Sequence, residues 1–476
     1  MPYQYSTSPG GAYDAYSNPP SNVSLDNLRR TFDLSGMIQE LRPVETPFFT
    51  YLTKVRKVPT TDPVFKMMEQ RHQWQRRNFT VAGAVADDGS DSAPTNANLT
   101  ATGFRASCDY DARGKKTTTS NNKPSFFVAG QIVAIENVTC ANPAVTGTLY
   151  AKVLTTEDVV GTGNNENVNS ITLKVEELFI LSSSAKTDVS AGTSFTIPVG
   201  SRAQIVGTAY GEATGAPDGW ADVLGQTEGY AQIFKTACPL MSGTAMATEY
   251  RGKKNEFQRI WDEKMREHKM DIEHSALFGV GHVAATSGAL TAEAGGVNRY
   301  TWGVLPFVSL YGNTGAFSYA ASGYNDFVDF TETFFAPENG NSMSKLVLAS
   351  RKIIGWFSKL NQGSFLGNTL VAEAARLDVQ NLKFQFGFNL TRINTVFGEL
   401  NFVAHPLLRN QWEDHVIVLD LPNISYRPLV GNGISRDTYY QTNVQDNDVD
   451  GRIDQMITEA GIQITLPETH AVLKWS

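Results

Sequence analysis

The chain has 476 residues; hydrophobic residues make up 41% and charged residues 18%, and Lys+Arg 40 against Asp+Glu 48 leave a net charge of −8. A chain of this length holds about three domains at ~150 residues each, and the composition excludes disordered, collagen-like and coiled-coil chains. The acidic balance argues against a dedicated nucleic-acid binder, and no apolar run reaches the ~18 residues of a membrane helix.

The polar start Met1-Pro2-Tyr3 lacks the basic region and apolar core of a signal peptide. Cys108, Cys140 and Cys238 are widely separated and odd in number, which fits a reducing compartment and small buried side chains better than a disulfide framework.

Met1 to Ser24 mixes Tyr, Ser, Pro, Gly and Asn with one charge, Asp14, and reads as an extended arm or a disordered tail. Asn27 to Arg30 and Met37 to Leu41 predict short helical turns, stopped by Pro43, and Thr46-Pro47-Phe48-Phe49 an extended anchor for two rings. From Thr50 to Arg77 the bases Lys54, Arg56, Lys57, Lys66, Arg71, Arg76 and Arg77 face only Asp62 and Glu69. His72-Gln73-Trp74-Gln75 alternates like a strand, so this basic stretch is either a solvated hairpin face or an arm lying on an acidic neighbour.

Between Lys115 and Tyr210 short β runs follow at Phe126–Val128, Ile132–Ile135, Thr148–Val153, Ile171–Val175 and Phe195–Ile197. They predict a small antiparallel β domain inserted between two linkers, with an acidic surface facing solvent. Thr244 to Phe278 holds no Pro, and Met246, Tyr250, Phe257, Trp261, Met265, Ile272 and Ala276 keep one face, predicting one long helix ended by Gly279. At ~1.5 Å per residue it would span roughly 50 Å. Beyond it, Asp326–Phe335 and Arg351–Leu360 read as helices and Lys345–Leu348, Phe397–Ala404, His415–Asp420 and Ile462–Leu466 as strands. No strict βαβ rhythm holds, so the fold class is α+β.

Catalytic signatures are missing. There is no G-x-S-x-G, H-E-x-x-H or Walker A, and Gly161-Thr162-Gly163 carries Glu166 where a dinucleotide motif needs its last glycine. His268 and His274, six apart, point away from each other on a helix and read as surface or interface residues. His405 reads as a strand-end histidine satisfied by backbone. Asp446 to Asp454 matches a calcium loop at positions 1, 3, 5, 6 and 9, but Ile457 stands where the bidentate Glu belongs, which favours a plain acidic loop.

The order of these parts resembles the tailed-bacteriophage major capsid proteins of the Hong Kong 97-type fold. Glu45 to Leu52 resembles the "TPF" segment of one branch, His72-Gln73-Trp74 its hairpin strand, and Gln232-Ile233-Phe234 with Ser242-Gly243-Thr244 the lead-in to its spine helix. Phe397 to Leu408, Val418 to Leu421 and Ile457 to Ala471 are similar to its late and closing strands.

The resemblance implies an N-terminal arm at 1–49, an extended hairpin (E-loop) region at 50–114 and 206–235, and an inserted β domain at 115–205. It implies a peripheral domain at 236–314 and 451–476 with the spine helix at about 244–278, and an axial domain at 315–450. It implies a non-enzymatic protein, with no catalytic, cofactor or metal residues, that self-assembles as pentamers and hexamers into the icosahedral shell around double-stranded DNA. Portal, scaffolding and decoration proteins are its expected partners. The DNA is enclosed without sequence-specific recognition, no membrane is involved, and the virion is assembled in the host cytoplasm. Lys54, Arg56, Lys57, Arg76 and Arg77 are the expected intersubunit contacts, with acids of the insertion and of Asp437 to Glu459 as partners. The rival readings are a phage tail or head-decoration protein and, more distantly, a multidomain hydrolase.

Overall fold

The computed structural model describes residues 47–72, 76–84, 93–95, 99–100, 102–110, 122–141, 144–158, 170–183, 185–188, 194–221, 223–250, 255–285, 297–336, 342–357, 379–385 and 388–476. Residues 1–46 of the expected arm, its helical turns, Gln73–Gln75 and the Gly161 motif lie outside these residues. Pro47 opens helix α1 (Pro47–Val55), where a missing N–H costs nothing. Phe48, Phe49 and Leu52 are buried, and Phe49 meets the Tyr426 ring edge-on at 5.3 Å. The two rings expected at 46–49 therefore dock, but from a helix and not from an extended anchor, because Leu52 extends the same buried face by one turn.

Strand β1 (Val64–Glu69) buries Phe65, Met67 and Glu69 on one face and pairs antiparallel with β10 (Gly225–Tyr230). Between the two lies a separate unit. Strands β2 (Asn78–Ala84), β3 (Phe104–Ser107), β4 (Gln131–Ala141), β5 (Ala144–Asp158), β6 (Ile171–Leu181) and β9 (Arg202–Thr208) pair in the order β3-β2-β9-β4-β5-β6. Phe104 to Ala106 on β3 then pair back onto β6, closing an antiparallel barrel, with β7 (Lys186–Asp188) and β8 (Phe195–Thr196) attached to β6 and β4. Closure leaves the barrel strands no free edge. Its interior is a core of its own, including Phe79, Val81, Phe104, Phe126, Val133, Leu149 and Val175.

The boundary expected at 114/115 falls inside this barrel. Asn78–Thr80 pair with Arg202–Gln204, so β2 and β3 belong to the β unit and not to the hairpin. Both strands are short and stand apart from the later β runs, and only their partners define them.

In the rest of the molecule, β11 (Gln232–Ala237), β24 (Gln455–Ile464) and β20 (Ile424–Pro428) form a sheet with β23 (Tyr439–Gln441) beside β24. A seven-stranded mixed sheet runs β14-β25-β19-β15-β18-β17-β16. Its strands are β14 (Asn313–Phe317), β15 (Ser344–Ala349), β16 (Val379–Gln385), β17 (Phe388–Asn394), β18 (Glu399–Ala404), β19 (His415–Leu419) and β25 (Ala471–Trp475). Two small ribbons, β12 (His282–Ala285) with β13 (Val297–Tyr300) and β21 (Val430–Gly431) with β22 (Ile434–Ser435), complete the strands among the described residues.

Leu346 and Leu348 of β15 enter one core with α1, and Val347 and Ala349 enter another around Trp475, so this strand is covered on both faces. A strand buried twice reads as a continuous apolar run. The fold is α+β, with α4 (Val304–Tyr311), α5 (Tyr324–Phe334) and α6 (351–357) among its helices.

The single helix expected over 244–278 is instead α2 (Gly243–Ala247) and α3 (Glu256–Phe278). Thr248 is extended and caps α2, and Asn255 opens α3 by accepting the Gln258 N–H at 3.1 Å. Asn is among the best N-caps, and this local hydrogen bond outweighs a periodicity that continues across the gap. Only the C-terminal half of α3 is deeply buried, through His268, Ile272, Glu273, Ala276 and Leu277.

Candidate functional site

The five basic residues singled out in the sequence fall in two places. Lys54 closes α1 and is exposed, Arg56 follows it, and Lys57 makes an ion pair with Asp437 of the same chain. Arg76 and Arg77 stand at the entrance to the barrel, with their guanidinium groups over the rings of Tyr110 at 5.6 Å and Trp220 at 5.9 Å. Arg77 has a φ of 44°, and its carbonyl accepts the Ile205 N–H, tying the entering chain to the leaving strand.

Arg71 lies between the two groups and makes the strongest contact of the stretch. Its guanidinium grips Glu468 through two bonds of 3.0 and 2.8 Å and Glu69 through a third of 2.8 Å. The other Glu69 oxygen accepts the Leu466 N–H at 3.0 Å, where Leu466 itself is left-handed at φ 48°. Such a forked, charge-assisted arrangement fixes geometry as well as energy. It holds the end of the β1 ribbon against the turn before β25. A stretch read only by its net charge gave no sign that this one arginine faces inward.

Beneath α1, the Glu273 carboxylate of α3 is fully buried and accepts two hydrogen bonds on Oε1. The Phe48 N–H, one of the orphan donors at the start of α1, donates at 3.3 Å, and His405 Nε2 donates at 2.5 Å. His405 Nδ1 in turn accepts the Leu407 N–H at 3.3 Å, which fixes its tautomer. His405 is thus bonded to a carboxylate on another element and not by backbone alone. A Glu flanked by the buried Ile272, Ala276 and Leu277 was the available sequence signal.

His268 is buried as well, contrary to its expected surface position. Its ring bridges Thr236 on β11 at 2.9 Å and Thr458 on β24 at 2.8 Å. The third buried histidine, His470, accepts the Asp420 N–H on Nδ1 at 2.9 Å. Nearby, the buried Lys345 donates to the Thr469 carbonyl at 2.6 Å, and burial pushes its pKa down to about 8.

Burial also lowers His268 and brings His470 down to about 3, helped by the charge of Lys345. Unfolded imidazoles protonate near 6.5 while these two resist, so the unfolded state binds protons first. Stability from them is complete above pH 6.5 and is lost as pH falls, for His470 down towards 3. For His470 the slope reaches about 1.4 kcal/mol per pH unit. Melting followed from pH 7.5 to pH 5 is expected to fall below about pH 6.5, and less so in His268→Gln; a flat profile would refute this.

In the acidic loop, Asp454 is held by Arg452 at 2.9 and 2.8 Å and by the Asn443 N–H at 3.1 Å, so the ninth position of the calcium-like pattern is already engaged. Among the described residues no group of three or more His, Cys, Asp or Glu could hold a metal, and no helix is long and apolar enough to cross a membrane. Glu459 pairs with Arg436 and Asp437 with Lys57, which leaves Asp446, Asp448 and Asp450 as the exposed acids of that segment.

Buried polar contacts thus tie together segments far apart in the chain. A model of the SU10 major capsid protein family matches residues 14–475. The chain belongs to that family and is a capsid protein that forms a shell. A comparison with curated proteins yields no match.

Solved structures to which it is similar include the capsid asymmetric unit of cyanophage A-1(L), at 11% identity over 56% of this chain and 84% of that one, with a TM-score of 0.37. Mycobacterium phage Patience follows at 13% identity, 57% and 78% coverage and a TM-score of 0.36. The holo-SrpI encapsulin complex from Synechococcus elongatus PCC 7942 stands at 10%, 52% and 75%, and 0.36.

Proposed function

We propose that this chain assembles as pentamers and hexamers into an icosahedral head shell of the Hong Kong 97-type plan, enclosing double-stranded DNA without reading its sequence. In this reading α3 is the spine, residues 1–49 are the arm, and the barrel on the β1–β10 ribbon is the insertion in the hairpin region. The peripheral and axial domains keep the bounds 236–314 with 451–476 and 315–450. Portal, scaffolding and decoration proteins are the further partners, assembly takes place in the host cytoplasm, and no catalysis is involved.

The observation that supports assembly most directly is the segment 209–224. All its described residues except Trp220 are exposed, and from Gly215 to Leu224 they make no backbone hydrogen bond to any described residue. A run of unpaired N–H and C=O groups on this scale is a template for pairing with another chain, and in a shell that chain is a second copy. Lys54, Arg56, Lys57, Arg76 and Arg77 are proposed as intersubunit contacts, with Lys54 and Arg56 foremost. Neither forms an ion pair with a described residue, whereas Lys57 is already engaged with Asp437.

Light scattering and negative-stain microscopy on the purified protein test the reading. Shells, or particles near five or six times 52.1 kDa, are expected. A compact monomer that stays monomeric with scaffolding protein supplied would overturn it. The double reversal Lys54→Glu with Arg56→Glu is expected to lower shell yield about tenfold through like-charge contacts, and unchanged yield and shell melting would remove these residues from the interface.

A further inference from the structure

The outer wall of the barrel carries a concavity of about 580 Å³. Its lining includes Asn78, Arg202, Gln204, Ala134, Glu136 and Thr148, contributed by β2, β9, β4 and β5. Register explains the hollow. Gln204 lies between Asn78 on one side and Ala134 on the other, and Ala134 is in turn opposite Tyr150. Directly opposed residues share a sheet face, so a short alanine stands between a long amide and an aromatic ring and leaves a trough. Beside the trough, across from Ala134, the Tyr150 ring is stacked on Phe179 at 4.8 Å, with the Lys186 ammonium 4.6 Å from the far ring.

The chemistry of the trough is mixed, with one arginine, Arg202, against two carboxylates, Glu136 and Asp109. Arg202 pairs with Glu136 at 3.3 Å, yet the arginine side chain is 85% exposed and retains free donors. The side chains of Asn78, Gln204 and Thr148 hydrogen-bond to no described residue, so two amides and a hydroxyl are available at once. A polyphosphate would want unpaired cations, and here the one arginine is outnumbered by two carboxylates. An apolar peptide would leave the amides unsatisfied at a cost of ~1–3 kcal/mol each.

A saccharide meets every demand. Its hydroxyls both donate and accept, so they match the amides, the hydroxyl, the arginine and the two carboxylates alike. The volume is within the usual ~300–1,000 Å³ of ligand sites. We propose that this trough on the barrel binds a neutral saccharide, which would give a shell built from this chain a surface affinity for glycan.

The full-length protein, titrated calorimetrically with maltohexaose, cellohexaose and chitohexaose in turn, tests this. At least one is expected to bind at roughly millimolar Kd or better, the strength that a few such hydrogen bonds can support. Gln204→Ala and Asn78→Ala are each expected to weaken binding about fivefold. Ala134→Trp, which fills the floor, is expected to abolish it while leaving melting and shell formation unchanged.

No heat from any of the three sugars at about 10 mM would overturn the proposal. So would binding that survives Ala134→Trp in the folded protein. If that variant fails to fold, the two alanine variants decide alone, and unchanged affinity in both refutes the site. Loss of shell formation in the folded Ala134→Trp variant would also refute it, assigning the trough to a contact between copies.

Discussion

His405→Ala is expected to destabilise the subunit by about 3–5 kcal/mol, the usual cost of stripping a partner from a buried charge. Among the described residues the variant leaves the fully buried Glu273 carboxylate only the Phe48 N–H at 3.3 Å, because its second oxygen has no partner there. Glu273 holds α1 to α3 and to the segment after β18, so the loss should be felt at the start of the described chain first. Glu273→Gln keeps an acceptor for both donors and removes the charge, so it is expected to cost less than half as much. Chemical denaturation of the soluble subunit measures both, and limited proteolysis before Phe48 reports release of α1. Equal losses in the two variants would show that packing alone, and not the buried carboxylate, holds this junction.

Removing the barrel is the second large perturbation, and here the expected result is survival. Glu69 and Gly225 are direct partners at the end of the β1–β10 ribbon, and partnered Cα atoms in such a pair stand only ~4.5–5.5 Å apart. A chain lacking residues 73–222, closed by a short Gly/Ser loop, keeps Arg71 and its bonds to Glu468 and Glu69. It is expected to keep the fold of the remainder, because the barrel's core and the two other cores share no residue. Conversely, residues 77–209 alone are expected to melt cooperatively as a β protein. Circular dichroism and thermal melting of both pieces check this; an unfolded remainder would mean that the barrel stabilises the core through contacts other than its stalk.

Legibility in the sequence followed how local each cause was. Val347 and Leu348 were readable as a strand because a segment buried on both faces is apolar throughout, and the end of α3 at Gly279 was marked by the glycine itself. Phe48 and Phe49 were readable as buried rings, but whether the chain there was helical turned on Glu273, 225 residues away, which accepts the first free N–H. The break between α2 and α3 was written in Asn255, a cap signal outweighed in reading by the apolar stripe on either side of it.

Of the candidate contacts, Lys54 lies exposed as a solvated cation should, while Lys57, three residues on, is spent on Asp437 within its own chain. Net charge cannot distinguish the two. Nor could it show that Arg71, in the same basic stretch, faces inward to Glu468.

By itself, the sequence determined the fold class, the β-rich nature of residues 115–210, the acidic balance and, through an ordered set of short segments, the resemblance to phage capsid proteins. Each of these is a property of nearest neighbours, of periodicity or of segment order, and none requires knowing what a segment touches. Only the tertiary structure decided that β2 and β3 close a barrel with β6 and β9, that His268 is a buried bolt and not a surface group, that His405 is bonded to a carboxylate and not by backbone alone, and that a polar trough lies over Ala134. Those facts depend on pairs far apart in the chain. Strand pairing and buried hydrogen bonds are satisfied by whichever partner the whole fold brings close, and a linear pattern carries no record of that choice.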